Sequence, residues 1–251
     1  MRKTLFLLLL LFVFSSCGLV KKNKAKTGKC VCVLFDLSYS THRKNVRQSY
    51  AADMRKVMEE MNPGDVLVAG LITQKSISEL RFCVQYEFKP FKATTDNPLY
   101  KKAEKSAFLK SIRSIKDSLL TVIDSTLYDT HRKILKTEIM GALQVADRIF
   151  RVYDLPQNIL VIMSDMIEDS QFYRFQNENL SDRRIRAIIN NEKKNERLPS
   201  LTNVKVYVTG AMAKNRKKQL RIQKFWQEYF RTCGANLRAK NYGSAMIRFE
   251  K

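Results

Sequence analysis

Oxygen-bearing side chains at three separate places along this chain could together hold a hard metal ion. Asp36, Ser38 and Ser40 stand two residues apart in Val-Leu-Phe-Asp-Leu-Ser-Tyr-Ser, Thr137 stands far downstream, and Asp165 closes Val-Ile-Met-Ser-Asp. Mg²⁺ and similar ions take small oxygen ligands in octahedral geometry and usually keep several waters. Hydroxyls bind such an ion weakly, so a position stays open for a stronger ligand such as a carboxylate. Taken singly each residue is commonplace, because Ser, Thr and Asp after a strand usually cap the next helix. In an extended chain, however, a spacing of two turns the oxygens of 36, 38 and 40 to one side.

The elements that must position these residues alternate between strand and helix. Residues 29–36 (KCVCVLFD), 66–72 (VLVAGLI) and 158–165 (NILVIMSD) are uninterrupted apolar runs, as strands buried on both faces require. Residues 203–209 (NVKVYVT) read as a further strand, and 245–249 as a short last one. Residues 79–88 (ELRFCVQYEF) alternate more and suit an antiparallel edge strand. Helical spacing marks 45–61, 100–127, 138–153, 181–195 and 214–233, with Thr137 at the start of the third. The order predicts an α/β fold, a Rossmann-like doubly wound and mostly parallel sheet with one antiparallel edge strand and helices on both faces. Such sheets bind ligands beyond the carboxyl ends of their strands, where Asp36 and Ser164-Asp165 fall.

Asp36-x-Ser38-x-Ser40 after the first strand, Thr137 opening Lys-Thr-Glu-Ile-Met-Gly-Ala-Leu-Gln-Val-Ala, and Ser164-Asp165 after an apolar strand resemble the von Willebrand factor A (vWA) domain. They match, in order, the three pieces of its metal-ion-dependent adhesion site, and the resemblance covers residues 29–249. It implies that Ser38, Ser40 and Thr137 reach a divalent cation directly, with Asp36 and Asp165 acting mostly through water. The implied ion is Mg²⁺, or Mn²⁺ or Ca²⁺, and the implied partner is an acidic group on another protein. Two positions depart from the pattern: Glu138 follows Thr137 where many members have aspartate, and Met166 follows Asp165 where glycine is common. Glu168 and Asp169 read as a solvated loop.

The start of the chain bears on where this chemistry takes place. Met1-Arg2-Lys3 leads into an apolar run, 5–14, that ends in Ser15-Ser16-Cys17. A charged start, a short apolar run and small residues describe a secretory signal, and Val-Phe-Ser-Ser-Cys resembles a bacterial lipoprotein box. Residues 1–16 are then the signal, Cys17 the lipidated residue, 17–28 a basic tether and 29–251 the vWA-like domain. The expected place is the cell envelope, with the domain held at a membrane by its lipid.

Formal charge is +22. On an exported, anchored chain such an excess suits an acidic protein, anionic lipid or polysaccharide. The basic residues are not interleaved with aromatics as a stacking surface, which argues against nucleic acid. Cys30, Cys32, Cys83 and Cys233 include no CxxC and read as small buried residues, with a disulfide open but unassigned.

Neither a phosphate-binding glycine loop nor a G-x-S-x-G elbow occurs, and His42 and His131 are the only histidines. The sequence therefore points to a binding module and away from an enzyme. Two alternatives stand beside it: a metal-dependent phosphoesterase on a related sheet, and a polyanion-binding protein that needs no metal.

Overall fold

A computed structural model describes residues 26–41, 43–129, 134–211, 215–245 and 248–249. Five strands form one sheet: β1 (Lys29–Asp36), β2 (Val66–Ile72), β3 (Arg81–Glu87), β4 (Gln157–Met163) and β5 (Lys205–Thr209). Their order is β3-β2-β1-β4-β5. All neighbours are parallel except β2 and β3, which run antiparallel at the edge. The central strands are buried on both faces, which is why their sequences are continuously apolar.

Helices cover both faces: α1 (Lys44–Glu59), α2 (Ser76–Glu79), α3 (Pro98–Leu127), α4 (Ile139–Tyr153), α5 (Asp182–Lys194) and α6 (Arg216–Thr232). Alternate residues of β1 divide the interior into two cores. Cys30, Cys32 and Leu34 join one core with α4, α5 and α6, around Phe175, Phe225 and Trp226. Val31, Val33 and Phe35 join the other with α1 and the second half of α3, around Tyr50, Met54 and Phe88. Buried aliphatic and aromatic side chains on this scale contribute about 1.5–3 kcal/mol each before entropy is counted. This is the expected doubly wound α/β fold with its antiparallel edge strand.

Three expectations change. Residues 245, 248 and 249 carry no strand; the outer side of β5 instead meets an isolated bridge from Val208 to Tyr242. The third helix begins at Ile139, so Thr137 lies just before it in a bridge with Asp169. Helix α2 is too short to leave a periodic trace in the sequence. Cys30, Cys32 and Cys233 are buried thiols, and the half-buried Cys83 thiol donates to the Ala69 carbonyl at 3.4 Å. The predicted signal, Cys17 and most of the tether, together with His42 and His131, lie outside the described residues. Among the described residues no helix is long and apolar enough to cross a membrane.

Candidate metal centre

Successive connections leave β1 in opposite directions, to β2 on one side and eventually to β4 on the other. The carboxyl ends of β1 and β4 thus flank the switch point where such sheets open a crevice. Asp36 is the last residue of β1, and Ser164 follows the last residue of β4. Because Phe35 pairs with Met163, the two loops leave the sheet side by side.

Asp36 is fully buried. One carboxylate oxygen accepts the Ser38 amide at 2.9 Å, and the other accepts the Ser164 hydroxyl at 2.8 Å. The chain beyond it does not stay extended. Residues Tyr39–Thr41 form a 3₁₀ turn, closed by the Thr41 amide donating to the Ser38 carbonyl at 3.1 Å. The Thr41 hydroxyl reinforces it by donating to the carbonyls of Asp36 (2.8 Å) and Ser38 (3.0 Å). This turn, rather than strand alternation, brings the Ser38 and Ser40 hydroxyls to 3.1 Å from each other. Ser38 is buried and Ser40 exposed, so the pair runs from the interior to the mouth of the crevice.

Asp165 faces this turn from β4, accepting the Ile167 amide at 2.9 Å and a hydrogen bond from the Ser40 side chain. Burial, then the nearby charge of Asp36, pushes its pKa up to about 7. Burial likewise raises Asp36, opposed by hydrogen bonds from Ser38 and Ser164 and by the Arg47 guanidinium. Two carboxyls buried this close together disfavour ionising both at once. Tyr50 extends under both: among the described residues its buried hydroxyl has no hydrogen-bond partner, and it is pushed well above its ordinary range by burial and by the charges of Asp36 and Asp165.

Thr137 is placed differently. It is buried, and its amide and carbonyl both pair with Asp169 at 3.0 and 2.9 Å. Hydrogen bonds and charge tie Asp36, Ser38, Ser40 and Asp165 together, whereas Thr137 reaches the same loop cluster through its backbone. Among the described residues no group of three or more His, Cys, Asp or Glu is placed to hold a metal. A cation here would rest on two carboxyls and a set of hydroxyls. That donor set fits Mg²⁺ or Mn²⁺, which accept hard oxygen and complete their shell with water.

Two supporting residues carry no sequence signal of their role. Arg47 sits on α1 where a charged residue would ordinarily face water, yet it is buried. Its guanidinium donates to the carbonyls of Leu37 (3.2 Å) and Leu127 (3.3 Å), fixing the β1 loop against the end of α3. Glu168, expected in a solvated loop, is fully buried instead. One of its oxygens accepts the Ile139 and Met140 amides at 2.8 and 3.1 Å, satisfying the free donors at the head of α4. Among the described residues its other oxygen has no hydrogen-bond partner, and burial, opposed by hydrogen bonds from Ser170 and the two amides, pushes its pKa up to about 8. Asp169 is only partly covered, as expected of a loop residue. Met166 takes φ 63°, the left-handed conformation that glycine adopts freely. It is held there by burial of its side chain and by the Trp226 indole N–H donating to its carbonyl at 2.9 Å.

No protein-family profile and no curated protein sequence matches the chain. Several solved structures resemble its fold. Proximal thread matrix protein 1 from the mussel byssus is 12% identical with a TM-score of 0.43, over 88% of this chain and 42% of that one. Manganese-loaded Plasmodium vivax TRAP protein is 11% identical with a TM-score of 0.43, over 88% and 70%. The SpRpn10 VWA domain is 10% identical with a TM-score of 0.38, over 88% of each. This chain therefore spans less than half the length of the mussel protein. At such distances the likenesses add nothing to the site, which stands on its own geometry.

Proposed function

We propose that this chain is a vWA-like binding module that holds a divalent cation at the mouth between β1 and β4 and presents it to an acidic group on a partner protein. Asp36, Ser38, Ser40, Thr137 and Asp165 would hold the ion, Mg²⁺ or else Mn²⁺ or Ca²⁺, in the cell envelope, with the chain anchored through lipid on Cys17. The observation that carries the reading is the Asp36–Asp165 pair. Two carboxyls are buried at the switch point, each disfavouring the other's charge, with a double hydroxyl between them leading to solvent. A divalent ion supplies the charge this cluster lacks. When bound, it offers a net positive centre that a carboxylate from outside can complete. The chain's own residues do the remainder: Ser164 and the Ser38 amide orient Asp36, the Ile167 amide orients Asp165, and the Thr41-closed turn sets the serines. None of these roles is catalytic, and the proposed activity is recognition.

Titration calorimetry with Mg²⁺ and Mn²⁺ tests this. Wild-type protein should show one site. Asp36→Asn should abolish it while near-ultraviolet dichroism stays native, because the amide keeps the shape and one acceptor of a fully buried side chain. Asp96→Asn, an exposed change, should leave it intact. Equal affinity in wild type and Asp36→Asn would refute the assignment. For partner capture, chelator or Thr137→Ala should release an acidic partner at low salt. A partner that stays bound in chelator and leaves only with added salt would move recognition from the ion to the basic surface.

A further inference from the structure

Helix α3 is longer than the body it packs on. Its C-terminal end lies level with the metal-site end of the sheet, where Arg47 bridges Leu127 and Leu37. Running backward, it passes the opposite end near Lys116. That ammonium feels the charges of Lys29, Asp65, Glu59 and Glu60, which ring the start of β1 and β2. The core still takes Ile112 and packs against Phe108, so it is the ten residues from Phe108 back to Pro98, about 15 Å at 1.5 Å per residue, that lie beyond it. From 98 to 111 every side chain is exposed except those of Glu104 and Phe108. The preceding strap holds Glu104 through the Thr94 amide at 3.0 Å, while Phe108 packs against the core and meets the Phe91 ring at 5.3 Å. The start of α3 is therefore a supported projection with nothing packed on its outer side.

Its chemistry is one-sided. Lys101, Lys102, Lys105, Lys110 and Arg113 face a single acid, Glu104, and the strap adds Lys89 and Lys92 against Asp96. Among the described residues the ion pair of α3, Arg55–Asp124, lies toward its other end. Between these cations stand Leu99 and Tyr100, 80% and 67% exposed, with Leu109 also open. Leu99 and Tyr100 thus stand at the tip of the helix with Lys101 and Lys102 directly behind them, and lysine stems can lie along an interface while their ammonium groups stay at headgroup level. The described chain also begins at this end: the Lys26 ammonium donates to the Tyr153 carbonyl at the close of α4, and β1 starts three residues later.

We propose that the projecting end of α3 docks on an anionic lipid bilayer, with Lys101, Lys102 and Lys105 on headgroup phosphates and Leu99 and Tyr100 in the interfacial layer. Charge complementarity favours an anionic surface. The choice of a bilayer over a soluble partner rests on the lipid anchor of the proposed function, which would reach the domain through residue 26 at this same end. The candidate metal centre, one length of β1 away, then points outward from the membrane. The proposal does not depend on that centre being occupied.

The test uses the full chain in a Cys83→Ser background with an environment-sensitive fluorophore on Leu99→Cys; the remaining described cysteines are buried. A parallel sample carries the dye on Leu220→Cys, an exposed position on α6. Each is reconstituted into phosphatidylcholine vesicles with and without about 30% phosphatidylglycerol, an anionic surface of the kind that attracts lysine. The expected result is a blue shift at 99 in the anionic vesicles alone, none at 220, and loss of the shift on Lys101→Glu/Lys102→Glu/Lys105→Glu. An unshifted dye at 99 in anionic vesicles overturns the proposal. A shift of equal size with heparin and no lipid, or one that grows with protein concentration without vesicles, also overturns it, in favour of a soluble polyanion or a second copy.

Discussion

Glu168 makes a sharp physical prediction. It is fully buried, holds two amides at the head of α4 with one oxygen, and among the described residues leaves the other unpaired. Burial outweighs the help of those amides and of Ser170, and Glu138 adds repulsion, so its pKa rises from the ordinary 4.5 to about 8. A raised carboxyl pKa means that the folded chain binds an extra proton between those two values. Stability must therefore fall as pH climbs from about 4.5 to 8, and flatten above. At roughly 1.4 kcal/mol per unit, the full loss is on the order of 5 kcal/mol, a large share of a typical domain's stability. Glu168→Gln keeps the shape and an acceptor for the helix amides but cannot ionise. Denaturant unfolding of both proteins in chelator, at steps from pH 5 to 9, isolates this one group, because Asp36 and Asp165 titrate alike in each. The variant should match wild type within about 1 kcal/mol at pH 5 and exceed it by several at pH 9. Parallel stability profiles would refute the reasoning, and so would a variant that loses ground as pH rises.

Gly28 sits at φ 107°, and a Cβ there would lie 2.2 Å from the Gly64 carbonyl oxygen, so Gly28→Ala should cost about 2–4 kcal/mol by thermal unfolding; an unchanged midpoint would contradict it. Trp226→Phe removes the indole donor to the Met166 carbonyl and shrinks a fully buried ring. It should lower stability by about 2–4 kcal/mol in denaturant, and a loss under about 0.5 would show that this hydrogen bond does not matter. Cys17→Ser should abolish uptake of labelled fatty acid and leave the chain unprocessed, whereas a wild-type chain that takes up no label would end the lipoprotein reading.

Much of the framework is legible in the residues themselves. KCVCVLFD and NILVIMSD declare strands buried on both faces, because no position in them tolerates water. ELRFCVQYEF declares an edge because its polar residues alternate, and β3 is that antiparallel edge. Residues 245–249 are mostly apolar and read as a last strand, but apolarity says nothing of whether a sheet edge is free to accept them. In the fold, Tyr242 bridges to β5 there instead. The candidate site is legible as a set of residue types, while its construction is not. Asp36, Ser38 and Ser40 come together through a 3₁₀ turn that hinges on Thr41, not through an extended chain. Glu168 stands in Ile-Glu-Asp-Ser, a string with every mark of a surface loop. Its burial is decided by unpaired amides on a helix almost thirty residues earlier, and no local pattern encodes that.

The joint between α4 and the β4 loop has one more consequence. Glu168 clasps the head of the helix, and Asp169 pairs with Thr137 on both backbone groups. Thr137 and Asp165 therefore ride on a single stiff piece, and the two serines ride on another, the turn that Thr41 closes on itself. Among the side chains of the described residues, the Asp36–Ser164 bond and the reach of Ser40 to Asp165 join the two across the crevice. Most of the ordering that an incoming ion would otherwise impose is thus complete beforehand. What remains is the alignment of two prebuilt halves, a single freedom that changes far from the oxygens can tighten or loosen.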